Sequence, residues 1–211
     1  MSISNNDDAR GWLSEALDVP RGTIAQLERF EALLREEMTR QNLIAASTLD
    51  TLWARHYVDS AQLLLFTKDA PSDGPWFDLG AGAGFPGIVI AALAPDRPVH
   101  LVESRALRCD FLSRVATDLG LANVIVQHDK LERVAAFDSA IISARAFAPL
   151  PKLLDLAGRF ATKRTIWVLP KGKNAVNELA SLPKSWQRLF HVEQSLTDAD
   201  SHILVGHGKA Q

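Results

Sequence analysis

The chain has 211 residues, 47% of them hydrophobic, and a formal charge of −2 at pH 7; this suffices for one sizeable domain with a small extension, and it excludes a disordered chain and a globally basic nucleic-acid binder, so phosphate contacts would fall to a local group of Lys and Arg. The single cysteine, Cys109, excludes an internal disulfide and a cysteine zinc cluster, and the scattered histidines form no ligand motif, so no metal is expected. No apolar run approaches the ~20 residues of a membrane span, and Met1–Arg10 is polar and acidic, unlike a signal peptide, so a soluble, cytoplasmic protein without a membrane partner is expected, as a monomer.

Residues 1–68 read as helical. Thr23 and Gln26 form a capping-box pattern, and Ile24, Leu27, Phe30, Leu34 and Met38 recur behind them at helical spacing. Arg40–Thr48 reads as a turn. A further helix carries Leu49, Leu52, Trp53, Tyr57, Ala61 and Leu65. The stretch from Asp69 to Pro75 is rich in turn formers, which divides the chain into an N-terminal helical extension, 1–74, and a cofactor domain, 75–211.

Trp76-Phe77-Asp78-Leu79-Gly80-Ala81-Gly82-Ala83-Gly84-Phe85-Pro86-Gly87 then reads as strand, glycine-rich loop and helix start. Glycines let the backbone turn sharply and approach a ligand, Pro86 suits a first helical position, and the helix N-terminus behind the loop favours negative charge. The stretch fits two cofactor patterns. Gly82, Gly84 and Gly87 match the G-x-G-x-x-G of dinucleotide binders. Asp78, Gly80, Gly82 and Gly84 match an acid-x-Gly-x-Gly-x-Gly loop that resembles that of Rossmann-like S-adenosylmethionine (SAM) methyltransferases. The acid favours SAM, whose sulfonium and ammonium are cationic, over a pyrophosphate. Glu103 ends the next strand, Val99–Glu103, where an acid accepts hydrogen bonds from ribose hydroxyls in either kind of protein.

Strands and helices alternate from there: strand Trp76–Leu79, helix Pro86–Ala94, strand Val99–Glu103, helix Arg105–Leu119, strands Val124–Gln127 and Ser139–Ile142, helix Pro149–Phe160 and strand Thr165–Leu169. Such alternation predicts an α/β fold with a mainly parallel sheet. Two last runs, around Trp186–Val192 and His202–Val205, read as an antiparallel hairpin, an ending that dehydrogenases lack. The expected fold is the Rossmann-like class I SAM-dependent methyltransferase fold, a seven-stranded sheet with a C-terminal antiparallel hairpin and the N-terminal helical extension. Ligands in such sheets sit at the carboxyl ends of the strands, where Asp78, Glu103, Asp129 and Arg145 fall.

Several blocks together resemble one family. Asn42-Leu43, Arg55-His56-Tyr57-Val58-Asp59-Ser60, the Asp78–Gly87 loop, Arg108 with Phe111-Leu112, Arg145-Ala146-Phe147-Ala148 and Lys171-Gly172 run in the order of the small-subunit ribosomal RNA methyltransferase G family, also called glucose-inhibited division protein B. The Gly-Phe-Pro-Gly ending and the Arg-His-x-x-Asp-Ser block are the specific parts. The resemblance implies SAM-dependent methylation of N7 of a guanine in 16S rRNA, with the rRNA or the small ribosomal subunit as partner.

It also implies roles. Gly80 and Phe85 line the methionine and adenosine side of SAM, Gly82 and Gly84 shape the turn, and Glu103 binds the ribose. Leu131 covers the adenine, and the Leu131–Glu132 backbone meets its edge. Arg145 pairs with the SAM carboxylate or with the substrate. Arg55, His56, Asp59 and Ser60 shape the rim of a guanine pocket; read locally, Arg55–Asp59 is an i,i+4 ion pair and His56 a helix-packing residue. Asn42 meets a base edge or caps a loop, and Lys171 and Lys173 meet phosphates or solvent. No nucleophile or general base stands out. Guanine N7 already carries a free lone pair, so alignment of the reactants is what the reaction asks of the protein. A SAM methyltransferase for a small molecule or protein, an NAD-binding oxidoreductase and a noncatalytic RNA-binding factor are the competing readings.

Overall fold

Residues 2–210 are described by the structure, a computed structural model. One sheet of seven strands runs in the order β3-β2-β1-β4-β5-β7-β6. Its strands are β1 (Trp76–Leu79), β2 (Val99–Glu103), β3 (Val124–His128), β4 (Ser139–Ala144), β5 (Ala161–Lys171), β6 (Phe190–Gln194) and β7 (His202–His207). β1 to β5 are parallel, and β7 pairs antiparallel with both β5 and β6. The order in which strands are added thus switches sides at β1, with β2 on one side and β4 on the other, which opens a crevice at the carboxyl ends of those strands.

Alternation along the strands splits the core into two layers. Trp76, Leu101, Ile141, Ile166 and Val168 face one layer, and Phe77, Val102, Ile142, Trp167 and Leu169 face the other. The first layer is covered by α1 (Asn6–Glu15), α2 (Arg21–Glu37), a helical run over residues 46–66, α4 (Gly87–Leu93) and α5 (Ala106–Asp118). That run consists of a 3-10 turn (Ala46–Thr51), a π-helical turn (Trp53–Val58), α3 (Asp59–Ala61) and a second 3-10 turn (Gln62–Phe66). The second layer is covered by α6 (Leu150–Ala157), α7 (Ala175–Ala180) and α8 (Lys184–Gln187). The N-terminal helices therefore share a continuous core with the sheet. Among the described residues no helix is long and apolar enough to cross a membrane.

Several local expectations are corrected. No capping box starts α2. Pro20 is its N-cap, and the Gln26 amide instead donates to the Leu119 carbonyl (3.0 Å), tying α2 to the end of α5. The expected strand around Trp186 is a turn of helix launched by Pro183, with Trp186 set edge-on to Trp167 at 6.0 Å; the strand starts at Phe190. Arg55 and Asp59 are not partners. The π-helical turn changes the stacking of side chains between successive turns, and the β6–β7 connection inserts its own groups. Arg55 pairs with Asp198 (2.6 Å), while Asp59 accepts from Thr197 Oγ1 (3.1 Å). The same connection is fastened by Gln62, which donates to Ser195 Oγ and accepts from the Leu196 amide.

Candidate active site

The loop after β1 rises at Gly80, whose φ of +69° is open to glycine at little cost. A methyl group there would meet the Phe147 ring at 2.7 Å, so Gly80 also makes room for that ring. Further on, Gly87 enters α4 so close to the sheet that a Cβ would strike Leu101 and the Asp78 carboxylate. The glycines of this loop therefore divide their work. Gly80 opens space above the strands, while Gly84 and Gly87 let the helix pack, Gly84 against Ile88 and Phe30.

Asp78 and Glu103 sit on opposite sides of this loop. Asp78 is buried beneath it. One oxygen accepts from the Gly87 amide (3.0 Å) and the other from Ser143 Oγ (2.7 Å), which itself accepts from Trp76 Nε1 (2.8 Å). Burial pushes its carboxyl up to about 6 against these hydrogen bonds. Glu103 lies on the open side. Oε1 accepts from the Ser104 and Arg105 amides (2.7 and 2.9 Å), and Oε2 accepts from the Gly82 amide (3.1 Å), with Arg108 at 3.7 Å. A carboxylate has about four acceptor positions, so Oε2 keeps capacity for a ligand hydroxyl. Cys109 donates to the Glu103 carbonyl at 3.2 Å, and burial pushes its thiol up to about 11, which leaves it without nucleophilic character.

Two clefts, each of about 410 Å³, open at the carboxyl ends of the strands. The first holds Gly80, Glu103, Leu131 and Glu132 from the predicted set. The second holds Arg55, His56, Asp59, Arg145 and Lys171. Ala146, with φ of +53° in the turn after β4, belongs to both walls.

Five predicted residues line neither cleft. Asp78 lies under the loop, and Gly82 and Gly84 shape it. Phe85 is 3% exposed and packs against Phe30, His56 and Tyr57, because the loop folds its large ring back into the core. Asn42 is exposed and presents its backbone carbonyl to Arg108 (3.4 Å). Part of the remaining lining was marked without a role, Asp129 at a strand end and Leu43, Arg108, Ala148 and Gly172 in blocks of the resemblance. Lys152 in the first cleft carries no motif that marks it, and Phe147 falls in the Arg145–Ala148 block, which assigned it no role. His202 in the second was findable, since a hairpin pairing back onto β5 sets it opposite Lys171.

The second cleft is polar and charged. His56 is buried, and the Thr48 hydroxyl lies 2.8 Å from its Nε2. Thr48 donates its proton to the Ala45 carbonyl (2.7 Å), so Nε2–H donates to Thr48 and Nδ1 holds a lone pair without a partner. Burial, with Arg145 and Arg55 nearby, pushes His56 down to about 3, so it is neutral at neutral pH. The Arg145 guanidinium lies over the Phe85 ring (5.4 Å) and 3.7 Å from Asp59. Burial lowers its affinity for the proton, Asp59 and Asp78 oppose this, and a guanidinium stays charged throughout. Lys171 Nζ is held by Glu178 (2.8 Å).

The first cleft suits a nucleoside. Glu103 offers an acceptor held by backbone amides, Leu131 and Phe147 offer apolar surface, and Gly80 leaves the strand ends bare. Residues 23–204 match the family model for rRNA small subunit methyltransferase G. The chain belongs to that family. It is 57% identical over 202 residues to the Ribosomal RNA small subunit methyltransferase G of Sphingopyxis alaskensis, covering 95% of this chain and 85% of that one. It is 50% identical over 206 residues to the protein of the same name from Novosphingobium aromaticivorans, covering 98% and 90%. In fold it is similar to a SAM dependent methyltransferase from Aquifex aeolicus (TM-score 0.57, 15% identity, covering 84% of this chain and 97% of that one). The fold is thus the class I methyltransferase fold that the strand order and terminal hairpin predict.

Proposed function

We propose that this member of the family methylates N7 of a guanine in the 16S rRNA of the small ribosomal subunit, using SAM. The observation that carries the reading is the pair of clefts that meet at Ala146, one suited to a nucleoside cofactor and the other polar and large enough for a base. Bound in the first cleft, SAM supplies an electrophilic methyl group on a sulfonium. Glu103 accepts from the ribose hydroxyls, and Leu131 and Phe147 flank the adenine.

The second cleft takes a base drawn out of the RNA. An enzyme that modifies a base takes it from the stack and reads its edges in a pocket. Guanine N7 needs no proton removed before it attacks, so no general base is required. His56, held neutral by burial, acts here as part of the pocket wall. Alignment of N7 with the methyl carbon is the protein's contribution, and holding two reactants in a fixed geometry is enough to supply a large part of a rate enhancement. Arg55 and Lys171 stand at the cleft to meet phosphates.

The test is transfer from labelled SAM to small subunits of cells lacking this protein. Label in the RNA supports the reading. Label confined to protein or to small molecules, or none despite measurable SAM binding, overturns it.

A further inference from the structure

Asp59 and Arg145 stand side by side in the second cleft, with Arg145 Nη1 3.7 Å from Asp59 Oδ2. That separation exceeds hydrogen-bond reach, so the two attract without using up their directional capacity. The other carboxylate oxygen is held from behind. Oδ1 accepts from Gln62 Nε2 (2.9 Å) and Thr197 Oγ1 (3.1 Å). Arg145 is steadied by its place over Phe85. Both side chains are largely shielded, at 17% and 23% exposure. Shielded charges with spare hydrogen-bonding capacity are costly unless a partner completes them.

Guanine is such a partner. Its O6 and N1–H put an acceptor beside a donor, whereas adenine puts its amino donor beside a bare N1. With the guanidinium set against the group on C6 and the carboxylate against N1, the pair matches the first pattern and opposes the second. We propose that Asp59 and Arg145 select guanine together, Asp59 Oδ2 accepting from N1–H and Arg145 donating to O6. This rests on the second cleft being the guanine pocket. It also decides between the two roles open to Arg145, in favour of the substrate, since Arg145 lines the second cleft and not the first. O6 lies between N1 and N7 on the rim of the base, so a grip through O6 and N1–H leaves N7 free. Thr197 and Gln62 become positioning residues that hold the carboxylate.

The experiment uses small subunits reconstituted with 16S rRNA that carries guanine, inosine or 2-aminopurine at the modified position. Inosine keeps O6 and N1–H; 2-aminopurine lacks both. The wild-type protein is expected to methylate inosine about as well as guanine and to disfavour 2-aminopurine by about 10- to 100-fold or more, the discrimination of one bidentate pair. In Asp59→Asn the guanine-to-2-aminopurine ratio in kcat/KM should narrow by about tenfold. The intrinsic reactivity of each base is the same for both proteins, so the change of ratio reports on Asp59 alone. Thr197→Val, which keeps the charge and removes one hydrogen bond to it, should narrow the ratio less and gives the answer if Asp59→Asn does not fold. An unchanged ratio in a folded variant, or efficient methylation of 2-aminopurine by wild type, overturns the proposal. Failure of wild type on all three bases would instead overturn the reading of the substrate.

Discussion

The Asp78 carboxylate accepts a hydrogen bond from the Gly87 amide at 3.0 Å, so the acid that opens the glycine loop is tied to the glycine that closes it. This bond, with the Trp76–Ser143–Asp78 chain, fixes α4 to the sheet from below. Asp78→Ala leaves buried donors without acceptors and should lower stability by about 1–3 kcal/mol. Urea unfolding measures this, and an unchanged midpoint would contradict the role given to Asp78.

Gly80 has a left-handed backbone and faces the Phe147 ring. In Gly80→Ala the backbone alone should cost about 1–2 kcal/mol, and the added methyl displaces Phe147 into the first cleft. A lower melting temperature and weaker SAM binding are expected together. Calorimetric titration showing full SAM affinity would remove Phe147 and Gly80 from the cofactor wall.

Glu103→Ala should weaken SAM binding by about 1–3 kcal/mol, the usual size of a hydrogen bond to a charged group. Circular dichroism would first establish that the variant is folded, because Glu103 also gathers the amides of Gly82, Ser104 and Arg105. Unchanged affinity in a folded variant would sink the assignment of the ribose to Glu103.

His56 carries a pH signature. Burial holds its folded value near 3, whereas an unfolded chain takes up the proton near 6.5. Between these values the unfolded state binds more protons, so the contribution of His56 is present above about pH 6.5 and is lost as pH falls, by up to about 1.4 kcal/mol per unit. Asp78 acts in the opposite sense below about 6, since its raised carboxyl keeps a proton that the unfolded chain gives up. The whole-protein profile mixes the two, so the comparison with His56→Gln isolates the histidine. The gap between wild type and variant should narrow as pH falls from 6.5 toward 4, and a constant gap would contradict a buried neutral imidazole.

Much of this fold was legible because its signals are local. Glycine spacing, Pro86, strand-end Glu103 and alternating apolar runs each act within a few residues, and together they specify the parallel sheet and its loop. The terminal hairpin was legible for the same reason, although its first strand was misplaced because Pro183 turns the chain into a helix before Phe190. The site was half legible. Gly80, Glu103, Leu131 and Glu132 meet in one cleft, and Arg55, His56, Asp59, Arg145 and Lys171 in another. What escaped depends on distant contacts. Asp198 and Thr197 reach the 53–59 turn from the last hairpin and take the partners that i,i+4 spacing would assign. Phe85 turns inward because Phe30 and Tyr57 are there to receive it, and nothing near it in the chain announces them.

The central claim concerns one atom of one base, and mapping the product tests it most directly. Small subunits from cells lacking the protein would be methylated in vitro, and their 16S rRNA cleaved chemically at 7-methylguanine. A single new cleavage, absent when SAM is withheld, is the predicted result. Methylation at another atom or spread over many guanines, or RNA left unmodified by a protein that binds SAM, would contradict the account.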